Sequence, residues 1–280
     1  MSVGDRVAQP GKMRIFEHLE DLRKRVKWSF LTIFLLFVFF AAFQARTADV
    51  GGVDVPYPYP NPIQPFASQF FNATLNFLKP DFVEAVVTSP AEPFVVQMKT
   101  AMALAVAVGM PMIAYQLGMF VAPALYERER KILLRLVVPS VLLFAFGMLV
   151  AFLVVLPFTF QFLYSVGAGL GAQRLFLSLD EFLSFTLIFV VGFGLSFELP
   201  VVMYALTAAT LIKAATWKKY WRFATIGIFF FAAMITPDAS GVTMLLVAFP
   251  MLGLYVAGYL AASAHERRKE RGRAQLRSDA

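Results

Sequence analysis

Residues 182–212 carry a single charge, Glu198. A straight helix needs about 20 residues to cross about 30 Å of hydrocarbon, so this run can span a bilayer with residues to spare. Five further uncharged runs fall at 28–45, 100–122, 136–164, 223–236 and 242–264. Hydrophobic residues make up 59% of the chain and charged residues 15%, where soluble domains hold about a quarter charged. The expectation is an all-α membrane protein: a six-span helical bundle, concave, with kinked helices and a short fifth span. That fifth run is too short to cross without thinning the bilayer or tilting its neighbours, so the charges flanking it must decide whether it crosses.

Twenty-one of the 25 basic residues lie before the first run, in alternate connections, or after the last run. The first run is preceded by Arg23, Lys24, Arg25 and Lys27, among others. Arg128, Arg130, Lys131 and Arg135 follow the second, and Lys213, Lys218, Lys219 and Arg222 follow the fourth. The other connections hold only Arg46, Lys79 and Arg174. Positive charge marks the cytoplasmic side. Both termini are therefore expected in the cytoplasm of a multi-pass inner-membrane protein, and the fifth run must cross. The divisions are a cytoplasmic amphipathic segment at 1–27, a transmembrane domain at 28–264 and a basic cytoplasmic tail at 265–280. The net charge of +7 is then topology and affinity for the lipid bilayer, with no nucleic acid as partner.

Prolines recur within the runs, at Pro111, Pro139, Pro157, Pro200 and Pro250. Each removes an N–H donor and permits a kink. In the connection after the first run, residues 55–62 alternate proline with other residues and read as extended polyproline-like chain. Next, 66–78 places Phe66, Phe70, Phe71, Leu75 and Leu78 on one helical face, the pattern of a short helix capping the bundle or lying on the membrane.

Chemistry is constrained by what is missing. With no cysteine, disulfides and thiolate sites are excluded. His18 and His265 are the only histidines, and both fall at cytoplasmic ends. No catalytic residue, metal or cofactor is expected, and the chain reads as a non-enzyme. Glu198 stands out, because a carboxylate within a membrane costs several kcal/mol unless it has a use or a partner. At the N-terminus, Phe16, Leu19, Leu22 and Val26 form an apolar stripe, and Glu17, Asp21 and Arg25 form a charged ladder opposite. Glu127 and Glu129 are the acids of an otherwise basic connection.

Several stretches resemble one family. These are residues 18–25 (HLEDLRKR), 89–94 (SPAEPF) leading to Lys99, 111–130 (PMIAYQLGMFVAPALYERER), 193–200 (FGLSFELP) and 235–237 (ITP), with Pro250 in the last run. In this order they are similar to the TatC subunit of the twin-arginine protein translocase. The resemblance implies a receptor and scaffold that binds twin-arginine signal peptides of folded cargo. It also implies assembly with TatA/TatB-type single-span proteins, self-association within the translocase, and use of the proton-motive force. By motif, the signal-peptide acids map onto Asp21 and Glu129, with Glu20, Arg23 and Phe120 nearby. The intramembrane acid, a contact for a partner helix or the peptide, maps onto Glu198. Paired guanidinium groups suit carboxylates, which accept them bidentately. The chain departs from the family pattern at Asp21, where glutamate is usual, at Ser240-Gly241, where Asp-Pro is usual, and at Val256, where an acid is common. The alternative from a different class is a proton-coupled secondary transporter using Glu198, which the lack of other acids in the runs disfavours.

Overall fold

The computed structural model describes residues 15–49, 54–121, 134–170, 175–236 and 241–278. Helix α1 (Ile15–Ala42) runs into an antiparallel hairpin, β1 (Phe43–Asp49) and β2 (Asp54–Pro60). Next come α2 (Phe66–Leu78), β3 (Val83–Val86) and α3 (Glu92–Val121). Helix α4 (Val137–Val150) continues through a π-helical turn, Ala151–Val155, into α5 (Leu156–Gly169). Strand β4 (Leu175–Ser178) pairs parallel with β3 and leads into α6 (Leu179–Phe197) and α7 (Leu199–Ala208). The last elements are α8 (Ala214–Lys219), α9 (Trp221–Ile235) and α10 (Val242–Ser278).

Among the described residues, five helical stretches are long and apolar enough to cross a membrane; α9 is the shorter apolar helix. The bundle has a hairpin end, holding both strand pairs, and a basic end. The chain passes between them six times, with α9 as the short passage. Its 15 residues reach about 22 Å at 1.5 Å per residue, short of the ~30 Å hydrocarbon core. The architecture is a helical membrane bundle.

Helix α6 forms the centre. Phe185, Phe189, Phe193 and Phe197 repeat every four residues on it and stack in sequence, the closest ring pair at 4.6 Å. Such i,i+4 aromatics share one helical face, and Phe189 and Phe193 are fully enclosed. Helix α4 lies against them because two glycines remove the bulk between the backbones. A Cβ on Gly147 would sit 2.8 Å from the Phe193 carbonyl oxygen, and one on Gly194 would sit 2.8 Å from the Phe144 ring. Small residues at such contacts drive helix packing in membranes.

Two prolines mark breaks. Pro157 is the second residue of α5 and leaves the carbonyl of Leu153 without its helical donor; Leu153 lies within the π-turn. Pro200 follows the α6–α7 break, where Glu198 N–H turns back to Leu195 O at 3.1 Å. Pro111 and Pro250 sit inside continuous helices.

Element limits depart from the sequence pattern in several places. Residues 43–45, read as the end of the first span, are strand: Phe43 prolongs the apolar run, but the chain leaves the helix at Ala42. Residues 55–60, read as polyproline-like, pair with β1. Pro56, Pro58 and Pro60 stand opposite Thr47, Ala45 and Phe43. The helix of the second run, α3, starts at Glu92 rather than residue 100, which takes Lys99 inside it. Helix α7 stops at Ala208, and Thr210 adopts a left-handed φ of 59°, so the apolar Leu211 and Ile212 belong to a turn. Helix α10 continues past His265 to Ser278. The helix expected over 66–78 forms with those limits, but its buried face is Ala67, Phe71, Thr74 and Leu78; Phe70 is exposed.

Candidate functional site

The expected peptide-binding residues fall at the basic end, on α1 and α3. These helices run antiparallel in close contact, with Gly109 of α3 against Ile33 and Leu36 of α1. Moving from that contact toward the basic end brings Phe120 and the Asp21 turn to the same level. Phe120 is half-buried in the last turn of α3. Glu129, the second expected acid, lies outside the described residues.

Asp21 is not a bare carboxylate. Its Oδ2 accepts from Arg25 Nε at 2.7 Å, and both side chains are largely covered. Oδ1 has no hydrogen-bond partner among the described residues. The pair is the i,i+4 acid-to-base step expected from the sequence; for its first member, Glu17, only the helical backbone is described. Glu20 faces solvent and meets Lys24 at 3.5 Å with both side chains about 70% exposed, a geometry that contributes about 0.3–0.5 kcal/mol in helices. Arg23 is exposed. Among the described side chains, this turn of α1 therefore offers one largely covered acid, Asp21, with one oxygen bonded to Arg25, flanked by the exposed Glu20, Arg23 and Lys24.

Glu198 sits at the junction of α6 and α7, half-buried. Ser140 Oγ, on α4, donates to Glu198 Oε2 at 2.7 Å. The antiparallel packing through Gly147 and Gly194 sets this register: going back along α4 from Phe144 and forward along α6 from Gly194 brings Ser140 to Glu198. Glu198 Oε1 is buried with no hydrogen-bond partner among the described residues. One oxygen is thus satisfied within the chain and the other is not. Ser140 was missed in the sequence, because a lone serine after Pro139 carries no signal until the register of α4 on α6 is known.

Two polar groups at the hairpin end, Glu92 and Lys99, lie in a stretch the sequence singled out, but their partners were not legible there. Glu92 is buried and accepts from Thr88 N and Oγ1, Ser89 N, Ser178 Oγ and Asp180 N. Lys99 Nζ donates to Asp180 Oδ1 at 2.6 Å and Ser184 Oγ at 3.0 Å. A cation in an apolar helix calls for a partner, but sequence spacing does not name one 81 residues away. At the basic end, α8 is tied to α10: Tyr255 Oη donates to Trp217 O at 2.7 Å, and Glu266 Oε2 accepts from Ala214 N at 3.0 Å. Among the described residues no group of three or more metal-binding side chains occurs.

Comparison with known proteins fits this arrangement. Residues 17–250 match the family described as Sec-independent protein translocase protein (TatC). The chain is 38% identical over 259 residues to the Sec-independent protein translocase protein TatC of Cenarchaeum symbiosum (strain A), covering 92% of this chain and 98% of that one. It is 35% identical over 189 residues to the TatC protein of Aquifex aeolicus (strain VF5), covering 67% and 78%. A crystal structure of the twin-arginine translocase receptor TatC aligns with a TM-score of 0.70 at 30% identity, covering 89% of this chain and 99% of that one. The motifs, the bundle and these matches converge: the chain belongs to the TatC family and is a multi-pass membrane component of the Sec-independent protein translocase.

Proposed function

We propose that this chain is the receptor and scaffold of a twin-arginine translocase. It captures twin-arginine signal peptides of folded cargo, assembles with TatA/TatB-type single-span proteins and further copies of itself, and supports export driven by the proton-motive force. The observation that carries the reading is Asp21. Its carboxylate already holds one guanidinium, that of Arg25, through a single oxygen, so an incoming arginine can share the open oxygen or replace Arg25. Glu129 supplies the second acid, and Phe120 and Arg23 border the site. Charge bias in the connections supports cytoplasmic termini in an inner membrane, with 1–27 and 265–280 as the cytoplasmic segments around the 28–264 membrane domain.

Photo-crosslinking from residue 20 to a twin-arginine signal peptide tests this, with a twin-lysine peptide as control. Wild type and Asp21→Glu should crosslink the arginine peptide. The double variant Asp21→Ala, Glu129→Gln should insert normally and lose at least most of the signal. Capture should also weaken with salt, because exposed charges are screened over about 8–10 Å. Undiminished crosslinking in the double variant would sink the assignment. In the same cells, a cysteine placed at Ser240 should react with an impermeant reagent from outside; labelling only from the cytoplasm would reverse the orientation.

A further inference from the structure

At the hairpin end, a groove of about 580 Å³ opens between α5, α6 and the end of α9. This is within the ~300–1,000 Å³ range of small-ligand sites. Its walls are apolar, including Phe160, Phe185, Ile188 and Met234; its polar groups are Tyr164, Glu181 and Ser184. Ile188 and Met234 are more than half exposed, so the groove faces outward from the bundle. No cation pairs with Glu181 among the described residues. Ser184 accepts from Lys99 Nζ, which uses two of its three N–H donors. Among the described residues, the polar end of the groove thus has an unpaired acid and, one hydroxyl away, the Lys99 ammonium, which is paired with Asp180 and keeps one donor to spare.

We infer that this groove binds a membrane aminophospholipid, with an acyl chain between α5 and α9, the primary ammonium on Glu181 and the phosphate toward Lys99. Three observations favour a lipid over a polypeptide helix. From Glu181 to Ile188 the groove occupies two turns of α6, about 10 Å at 1.5 Å per residue, while a helix about 10–12 Å thick needs a longer open face. Helix α9 ends beside the groove, at Ile235, and is shorter than the bilayer core, which leaves apolar depth for a chain to fill. A headgroup carrying a primary ammonium also complements the Glu181 acid, with its phosphate facing the spare donor of the Lys99–Asp180 pair. A primary ammonium donates three hydrogen bonds, and charge-assisted bonds to a carboxylate are the stronger kind; a quaternary amine has none to give. This site is separate from the peptide-binding acids and does not rest on their assignment.

The test uses full-length chain in nanodiscs of equal phosphatidylethanolamine and phosphatidylcholine with the same acyl chains, followed by native mass spectrometry. Wild type should retain one lipid per chain, with phosphatidylethanolamine preferred several-fold. Glu181→Gln should keep a lipid and lose the preference. Ile188→Trp, which fills the groove, should lose the retained lipid, while Phe30→Trp on exposed α1 should behave as wild type. Equal retention of both lipids by wild type, or undiminished retention by Ile188→Trp, would overturn the inference. A photo-crosslinker at position 188 in native membranes should label lipid; labelling of a polypeptide instead would overturn it as well.

Discussion

Glu92 and Glu198 are both carboxyls set among apolar helices, and they differ in what meets their oxygens. Glu92 receives five hydrogen bonds, from Thr88, Ser89, Ser178 and Asp180. It joins the turn before α3 to the start of α6, and it satisfies Asp180 N–H, one of the donors a helix N-terminus leaves open. Among the described residues, Glu198 receives one side-chain bond, from Ser140, and keeps a buried oxygen without a partner. Buried polar atoms are nearly always satisfied, and the exceptions call for a reason. The contrast separates a carboxyl that joins two helices from one with an oxygen unmatched among the described residues.

The comparison can be broken by substitution, beginning where the largest effect is expected. Glu92→Ala orphans donors on two segments at once and should cut the yield of monodisperse folded protein several-fold, read by fluorescence-detected size exclusion. Glu92→Gln should recover part of it, since an amide oxygen still accepts. Normal yield for Glu92→Ala would remove its structural role. A smaller effect on folding and a large one on transport is expected for Glu198→Ala. It should fold and bind signal peptide yet lose most export of a folded reporter into inverted vesicles, with Glu198→Gln retaining more. Export at the wild-type rate in the alanine variant would return Glu198 to packing. Ser140→Ala should have the smallest effect: about 0.6 kcal/mol, the average for a hydrogen bond between membrane helices, seen as a slight drop in thermal midpoint in detergent. A loss as large as that of Glu92→Ala would mean Ser140 and Glu198 belong to a structural joint after all.

What the sequence revealed and what it hid follow the range of the forces involved. Apolar runs are local, so the membrane class, the short α9 and helix α2 could be read directly. Glu198 was visible because a charge in such a run is conspicuous by itself. Its partner was not: Ser140 is 58 residues away and is brought near by glycines that let α4 and α6 approach. Glu92 lay before the run expected to begin at residue 100, so nothing marked it as a helix-end acid, and its role depends on strand β4 arriving beside β3. The hairpin was obscured by proline, which argues against strand in a chain read alone. The Asp21–Arg25 step was legible from spacing, but that Arg25 already occupies one oxygen of the expected peptide site was not.

The proline spacing in β2 has a consequence beyond folding. A proline cannot exchange both bonds of a hydrogen-bonded strand pair, so Pro56, Pro58 and Pro60 occupy the pairs that point their backbone away from β1, and the free rim of β2 has no N–H to offer at those positions. The other rim is stopped by a side chain: Gln69 Oε1 accepts from Ala45 N at 3.3 Å and its Nε2 donates to Ala45 O at 3.2 Å. Open sheet edges recruit further strands, and extended peptides commonly dock by adding to them. Here both margins resist a third strand. An extended peptide meeting this end of the bundle finds little backbone to zip onto, so adhesion by strand addition is discouraged, and whatever docks on the hairpin has to do so through side chains such as the exposed Tyr57 and Tyr59.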